Sequence, residues 1–123
     1  MGLLISDQKT ISPQTPGGNC IAITEAELVA GVDCSRGKVF TVMLTANRAV
    51  GNFTGLTCGQ PVALRVKQDA TGGRTLTWGG SFRFGTTISS VTLSTTASKT
   101  DYIGFLYDAS ASKIDVVAFV KGY

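Results

Sequence analysis

The chain has 123 residues, of which 43% are hydrophobic and 15% are charged, and its formal net charge is +3. This length fits one domain with its own core. The charged fraction lies below the roughly 25% of an average domain, which predicts a surface partly covered by other chains, often copies of itself. Histidine is absent, which excludes Ser-His-Asp and Cys-His catalysis within the chain. The 11 basic residues are scattered, so we expect no nucleic-acid partner.

Residues 1–19 are predicted to form an extended N-terminal arm. Two prolines and two glycines lie within residues 13–18, and they disfavour regular structure. Before them, Leu3, Leu4 and Ile5 form an apolar cluster, which indicates either a frayed terminus or an arm that binds a neighbouring subunit. These three residues are our candidate partner-binding residues. No apolar run approaches the ~20 residues that cross a bilayer, so we expect no membrane partner.

Residues 20–123 are predicted to form one all-β domain, an antiparallel β-sandwich or jelly-roll-like fold. Apolar and polar residues alternate through most of this region, which gives about eight short strands separated by turn residues. The run 25–30 has a composition that favours a helix but is short, so we expect a single turn or a strand edge there. The strand-like runs, in chain order, are residues 20–24, 38–45, 50–54, 61–69, 75–78, 82–84, 91–93, 101–108 and 113–120.

Two pairs of these runs are predicted to be β-hairpins. Residues 61–69 and 75–78 flank a tight turn, whose structural residues are predicted to be Asp69, Gly72, Gly73 and Arg74. One face of this hairpin should be buried in the core, and the other should be exposed to solvent or covered by a partner. Asp69 and Arg74 are also placed to form an exposed ion pair of small energetic value.

The second predicted hairpin joins residues 101–108 to residues 113–120 through the loop 109–112. Both of its strands carry apolar residues on both faces. Such strands lie in the middle of a sheet or at an interface between subunits.

Acidic residues are the only candidates for catalysis that the composition leaves. Asp101, Asp108 and Asp115 lie seven residues apart, but an odd spacing alternates faces in a strand, and aspartate is favoured at turn ends. Glu25 and Glu27 would share one face of a strand, without the polar surroundings of a cleft. We therefore predict no catalytic residue, no metal site and no cofactor, and we expect that the protein is not an enzyme.

The three cysteines are Cys20, Cys34 and Cys58, an odd number at wide spacing. This pattern favours three reduced, partly buried thiols over a disulfide framework. One disulfide between Cys20 and Cys34 remains an alternative, since the sequence does not reveal the distance between the two residues.

Four aromatic side chains, those of Trp78, Tyr102, Tyr107 and Tyr123, have two interpretations. They could form a platform for carbohydrate. Aromatic residues in alternating strands are more often part of a core or an interface, because they contribute a large buried area.

The segment DATGGRTLTW at residues 69–78, followed by LSTTA at residues 93–97 and DYIGFLYD at residues 101–108, resembles a β-module of tailed-bacteriophage virion proteins. That module occurs in tail-fibre and tail-tip proteins and in small head proteins. The resemblance implies a β fold with no catalytic residues. The chain departs from it at residues 79–80, where many members have proline after the tryptophan, and at residues 109–112, where many have a tryptophan.

The resemblance leads to one functional prediction and one alternative. Because one small domain runs from Met1 to Tyr123, we predict a capsid decoration or cement protein. It would lie on the outer surface of the phage head, as a homotrimer, and bridge and stabilise the major capsid protein. The alternative is a tail-fibre or tail-tip module that recognises a host surface glycan.

Overall fold

The computed structural model describes residues 20–123, so that Leu3, Leu4 and Ile5 lie outside the described residues. The division of the chain into an arm and a domain stays a prediction. The described chain contains eight strands, one α-helix and one 3-10 turn at Cys34–Arg36. The elements are β1 (Cys20–Ala22), α1 (Glu25–Ala30), β2 (Val39–Leu44), β3 (Arg48–Val50), β4 (Pro61–Gln68), β5 (Leu76–Trp78), β6 (Phe82–Arg83), β7 (Thr100–Asp108) and β8 (Lys113–Val120).

The strands form two sheets of unequal size. The larger has six strands in the order β1-β2-β4-β7-β8-β6, and the smaller pairs β3 with β5. The all-β class and the number of strands are therefore confirmed. The pairing is mixed rather than wholly antiparallel, because β1–β2, β2–β4, β3–β5 and β6–β8 are parallel pairs. Long connections between sequential strands, such as α1 between β1 and β2, make parallel neighbours possible.

The predicted hairpin between residues 61–69 and 75–78 is wrong in its pairing. The chain does reverse at Gly72 and Gly73, which both have φ of 76°. However, β4 is flanked by β2 and by β7 in the six-stranded sheet, so neither of its edges is open to the returning strand. The strand after the turn, β5, pairs instead with β3 in the smaller sheet.

The second predicted hairpin is confirmed. Strands β7 and β8 are antiparallel, with Asp108 opposite Lys113 across the loop and a β-bulge after Gly104. Strand β7 lies in the interior of the sheet between β4 and β8, as its apolar residues on both faces predicted. The predicted strand at residues 91–93 is wrong, although Val91 and Leu93 are buried.

The run 25–30 is a short helix with a well-formed N-terminus. The Thr24 side chain accepts a hydrogen bond from the Glu27 backbone N–H, and the Glu27 carboxylate accepts one from the Thr24 N–H. This reciprocal capping satisfies two backbone donors that a helix end leaves open. Leu28, which is fully buried, anchors the helix to the core.

The core lies between the two sheets and is centred on aromatic rings. Phe105 of β7 contacts Phe53, Trp78 and Phe82, with ring centroids 5.3, 5.9 and 5.6 Å away. Edge-to-face and tilted contacts of this kind stabilise beyond the area they bury. Because Trp78 belongs to β5, these contacts hold the smaller sheet against one face of the larger. Among the described residues, no helix is long and apolar enough to span a membrane.

Candidate functional site

The six-stranded sheet has an inner face, which packs on the smaller sheet, and an outer face, which nothing in the described chain covers. Side chains alternate between the two faces along each strand. In β4, Val62, Leu64 and Val66 are buried, whereas the alternate residues are partly or fully exposed. The outer face comprises Cys20 and Ala22 of β1; Val39, Thr41 and Met43 of β2; Pro61, Ala63, Arg65 and Lys67 of β4; Arg83 of β6; Tyr102, Gly104, Leu106 and Asp108 of β7; and Asp115, Ala118 and Val120 of β8.

This outer face concentrates the exposed hydrophobic surface of the molecule. The described chain exposes six large hydrophobic side chains, and Val29 on α1 is the one that lies away from the outer face. The others lie on this face or beside it: Met43, Leu106, Val117, Val120 and Tyr123. Large hydrophobic side chains exposed mainly on one face favour an interaction surface there.

A trough of small residues crosses the outer face. The register aligns Cys20 with Val39, Val39 with Ala63, Ala63 with Gly104, and Gly104 with Ala118. A Cβ added at Gly104 would lie 3.2 Å from the Ala118 Cβ, so the strands approach closely here. Next to this row, a groove of about 380 Å³ opens between Pro61, Leu106 and Val117. We call the row and the groove together the trough.

Cationic side chains border the trough on its other side. The Arg65 guanidinium donates to the Tyr102 hydroxyl at 3.0 Å and to the Thr41 hydroxyl at 3.3 Å. The Tyr123 ring packs edge-on against Tyr102, with centroids 5.5 Å apart. Within residues 20–123, neither Arg65 nor Lys67 forms an ion pair.

Asp69, Gly72, Gly73 and Arg74 lie in the loop between β4 and β5, which packs against another part of the chain. Asp69 accepts hydrogen bonds from the backbone of Thr71 and Gly72 and pairs with Arg74 at 2.9 Å. The Arg74 guanidinium, with help from the Gly72 N–H, lowers the pKa of Asp69. This ion pair is half-buried rather than exposed. A Cβ at Gly72 would lie 2.5 Å from the Thr95 carbonyl oxygen, so only glycine fits there.

Two buried polar residues that sequence reasoning did not select complete this joint. The Gln68 amide donates to the carbonyls of Arg74 and Ser94 and accepts from the Arg74 N–H. Asp101 accepts from the backbone of Ser94 at 2.6 Å and of Gly122 at 2.9 Å. Gln68 and Asp101 are each 2% exposed. The residues of the turn motif therefore hold the chain around residues 94–97 in place, and we call this arrangement the motif joint.

The remaining carboxylates considered for catalysis are engaged in ion pairs and caps. Asp108 and Asp115 share the Arg83 guanidinium at 3.1 and 2.6 Å, and these two partners raise the pKa of Arg83. The Arg48 side chain lowers the pKa of Glu25 to about 2. A second groove, of about 260 Å³, lies beside the ion pair of Arg83 and Asp115. It is lined by these two residues and Phe84.

The described residues contain no group of three or more side chains that could hold a metal ion. Cys20, Cys34 and Cys58 are all free thiols, so the alternative Cys20–Cys34 bridge is absent. Cys34 is buried, and desolvation raises the pKa of its thiol to about 12. Cys20 and Cys58 are exposed rather than partly buried.

The four aromatic side chains do not form one platform. Trp78 and Tyr107 pack against the core, and only Tyr102 and Tyr123 contact each other. The four positions therefore fit the interpretation as core or interface residues better than the interpretation as a platform for carbohydrate.

Comparison with known proteins bears on most of the domain. Residues 28–111 match the family described as "Putative phage tail fibre C-terminal domain", which is about two thirds of the chain and includes the motif joint. No curated protein and no solved structure matches the chain. The resemblance to phage virion proteins is thus supported independently. The chain belongs to this family of phage tail fibre C-terminal domains, and it is a structural protein of a bacteriophage virion.

Proposed function

We propose that this protein is a tail-fibre module that works by binding and assembly rather than by catalysis. The observation that carries the proposal is the family match over residues 28–111. It favours the tail-fibre alternative over the head decoration protein, although it does not contradict a position on the head.

The contacts of the carboxylate side chains support a role without catalysis. Catalysis by carboxylates needs one group free to move a proton and a second placed across a substrate. Within residues 20–123, each carboxylate is instead held by an arginine, a turn or a buried backbone N–H. The motif that resembles phage proteins serves the motif joint, where it stabilises the fold.

For the tail-fibre role we propose that the second groove contacts a host surface glycan. It combines the Phe84 ring with the Arg83 guanidinium and the Asp115 carboxylate. An apolar surface with a few fixed polar groups is the usual make-up of a small-ligand site. The two carboxylates that hold Arg83 also fix its orientation.

We further propose that the copies assemble as a homotrimer, as the resemblance implies. The low charged fraction and the exposed hydrophobic side chains of the outer face support assembly. Light scattering of the purified protein measures the number of copies directly.

Immunogold electron microscopy of the virion tests the placement. We expect label on the tail, with a few to tens of copies per particle, and we expect the purified protein to compete with phage for adsorption to host cells. The variant Phe84→Ala should compete less well, whereas Val29→Ala on α1 should compete normally. Label over the head in hundreds of copies would overturn the tail-fibre proposal and favour decoration of the major capsid protein.

A further inference from the structure

We infer that residues 1–19 of one copy lie along the trough of a neighbouring copy, with Leu3, Leu4 and Ile5 in the groove. The inference rests on the proposed assembly of copies. It assigns an occupant to the outer face and a role to the apolar cluster at the start of the chain.

The groove and the apolar cluster match in chemistry and size. The groove is lined almost wholly by apolar atoms, and Leu106 and Val117 at its border are 43% and 50% exposed. Three consecutive large apolar side chains are rare at a solvated chain end and gain most from such a surface. The small side chains of Ala63, Gly104 and Ala118 leave room for a chain to lie close to the sheet.

The trough leads to the point where the segment joins the domain. Cys20, the first residue of β1, stands in the same row as Val39 and Ala63. Neighbouring strands are about 4.8 Å apart, so the groove at β7 lies about 14 Å from β1 within one copy and the whole sheet is about 24 Å wide.

The connection between the cluster and the domain is long enough to reach another copy. There are 14 residues between Ile5 and Cys20, which span about 45 Å when extended. Pro13 and Pro16 fix their own φ angles and favour extended conformations in the residues before them. An extended connection of this length is about twice as long as the sheet is wide, so it is long enough to bring Leu3, Leu4 and Ile5 to the groove of a neighbouring copy.

Charge favours this segment over the outer face of a second copy as the occupant. The acidic side chains of the outer face, Asp108 and Asp115, already share the Arg83 guanidinium, so a second outer face offers no unpaired carboxylate to Arg65 or Lys67. Among the eight acidic residues, the seven within residues 20–123 have ion-pair or hydrogen-bond partners, and the eighth is Asp7. Asp7 follows Ile5 by two residues, about 7 Å in an extended chain, and this reach matches the distance from Ala63, which lines the groove, to Arg65 at the border of the trough.

Cysteine cross-linking in the full chain tests the inference. In a Cys20→Ser, Cys58→Ser background that keeps the buried Cys34, the Leu4→Cys variant is combined with Leu106→Cys in the groove. The matched control combines Leu4→Cys with Val29→Cys on α1, which is exposed to a similar extent, 46% against 43%. Circular dichroism checks that both variants fold.

We expect mild oxidation to give covalent dimers and trimers from the groove pair at least ten times faster than from the control pair. Equal rates would show that the segment has no preference for the groove and would overturn the inference. A cross-link formed within a single chain would overturn it too, because the segment would then cover its own sheet.

A charge exchange tests the second contact. Arg65→Asp should slow cross-linking of the groove pair, and adding Asp7→Lys should restore the rate. No change with Arg65→Asp would contradict the assigned contact between Asp7 and Arg65. These results do not depend on where the protein sits in the virion, so a failure here is distinct from a failure of the tail-fibre proposal.

Discussion

The inner and outer faces of the six-stranded sheet are built on the same strands but serve different purposes. Phe105 and Leu106 are consecutive in β7, yet Phe105 is 2% exposed within the aromatic core and Leu106 is 43% exposed at the trough. The alternation of the strand makes the two side chains point apart, and the smaller sheet then covers only one of them. Hydrophobic residues on both faces of a strand therefore do not show which face the protein's own core covers, because that depends on where the second sheet packs.

The largest expected effect on stability comes from removing an aromatic side chain from the inner face. Phe105→Ala should lower the free energy of unfolding by about 3–5 kcal/mol, because it leaves a cavity among Phe53, Trp78 and Phe82. Leu106→Ala in the isolated chain should change it by about 0.5 kcal/mol or less. Urea denaturation of both variants measures the difference. Similar losses at the two positions would mean that the faces are not distinct in the way the structure shows.

A smaller effect is expected at Asp101, a buried polar residue on the inner face. Asp101→Ala should lower the free energy of unfolding by about 1–3 kcal/mol, because the backbone N–H groups of Ser94 and Gly122 lose their acceptor. Asp101→Asn should lose less, since it keeps one acceptor oxygen. Asp115→Ala, which breaks a solvent-facing ion pair, should lose the least of the three variants. Denaturation at neutral pH gives the order, and the opposite order would contradict the motif joint.

The smallest effect is expected at Glu25, whose side chain connects α1 to the end of β2. Its carboxylate accepts from the Thr45 backbone and hydroxyl and pairs with Arg48 at 2.9 Å. The folded protein lowers the pKa of Glu25 from 4.5 to about 2, so its stabilisation is complete above pH 4.5 and is lost as the pH falls through about 2. Glu25→Gln should therefore flatten the acid dependence of unfolding between these values. An unchanged dependence in urea denaturation across this pH range would refute the assignment.

The sequence predicted local features of the fold better than the pairing of strands. The second hairpin was correct because its two strands and loop are contiguous in the chain. The first was wrong because Gly72 and Gly73 determine only that the chain reverses. Which strand then flanks β4 depends on β2 and β7, and the contacts that decide it join parts of the chain far apart in sequence.

The same limit applies to the candidate site. Asp69, Gly72, Gly73 and Arg74 were identified because glycines and charges at a turn are a local signal. Gln68 was missed, although its place in β4 on the same side as Val66 was a sign that it would be buried. The trough could not be predicted, because the residues of its row come from five strands and are neighbours only in the register of the folded sheet.

The lengths of the strands have a consequence for how the protein meets other chains. Within residues 20–123, the six-stranded sheet ends on β1, with three residues, and on β6, with two, whereas β4, β7 and β8 each have eight or nine. Short edge strands offer few unpaired backbone groups to another chain, which discourages open-ended polymerisation through the sheet edges. The described part of the chain therefore offers another chain the side chains of its outer face rather than free backbone groups at its sheet edges.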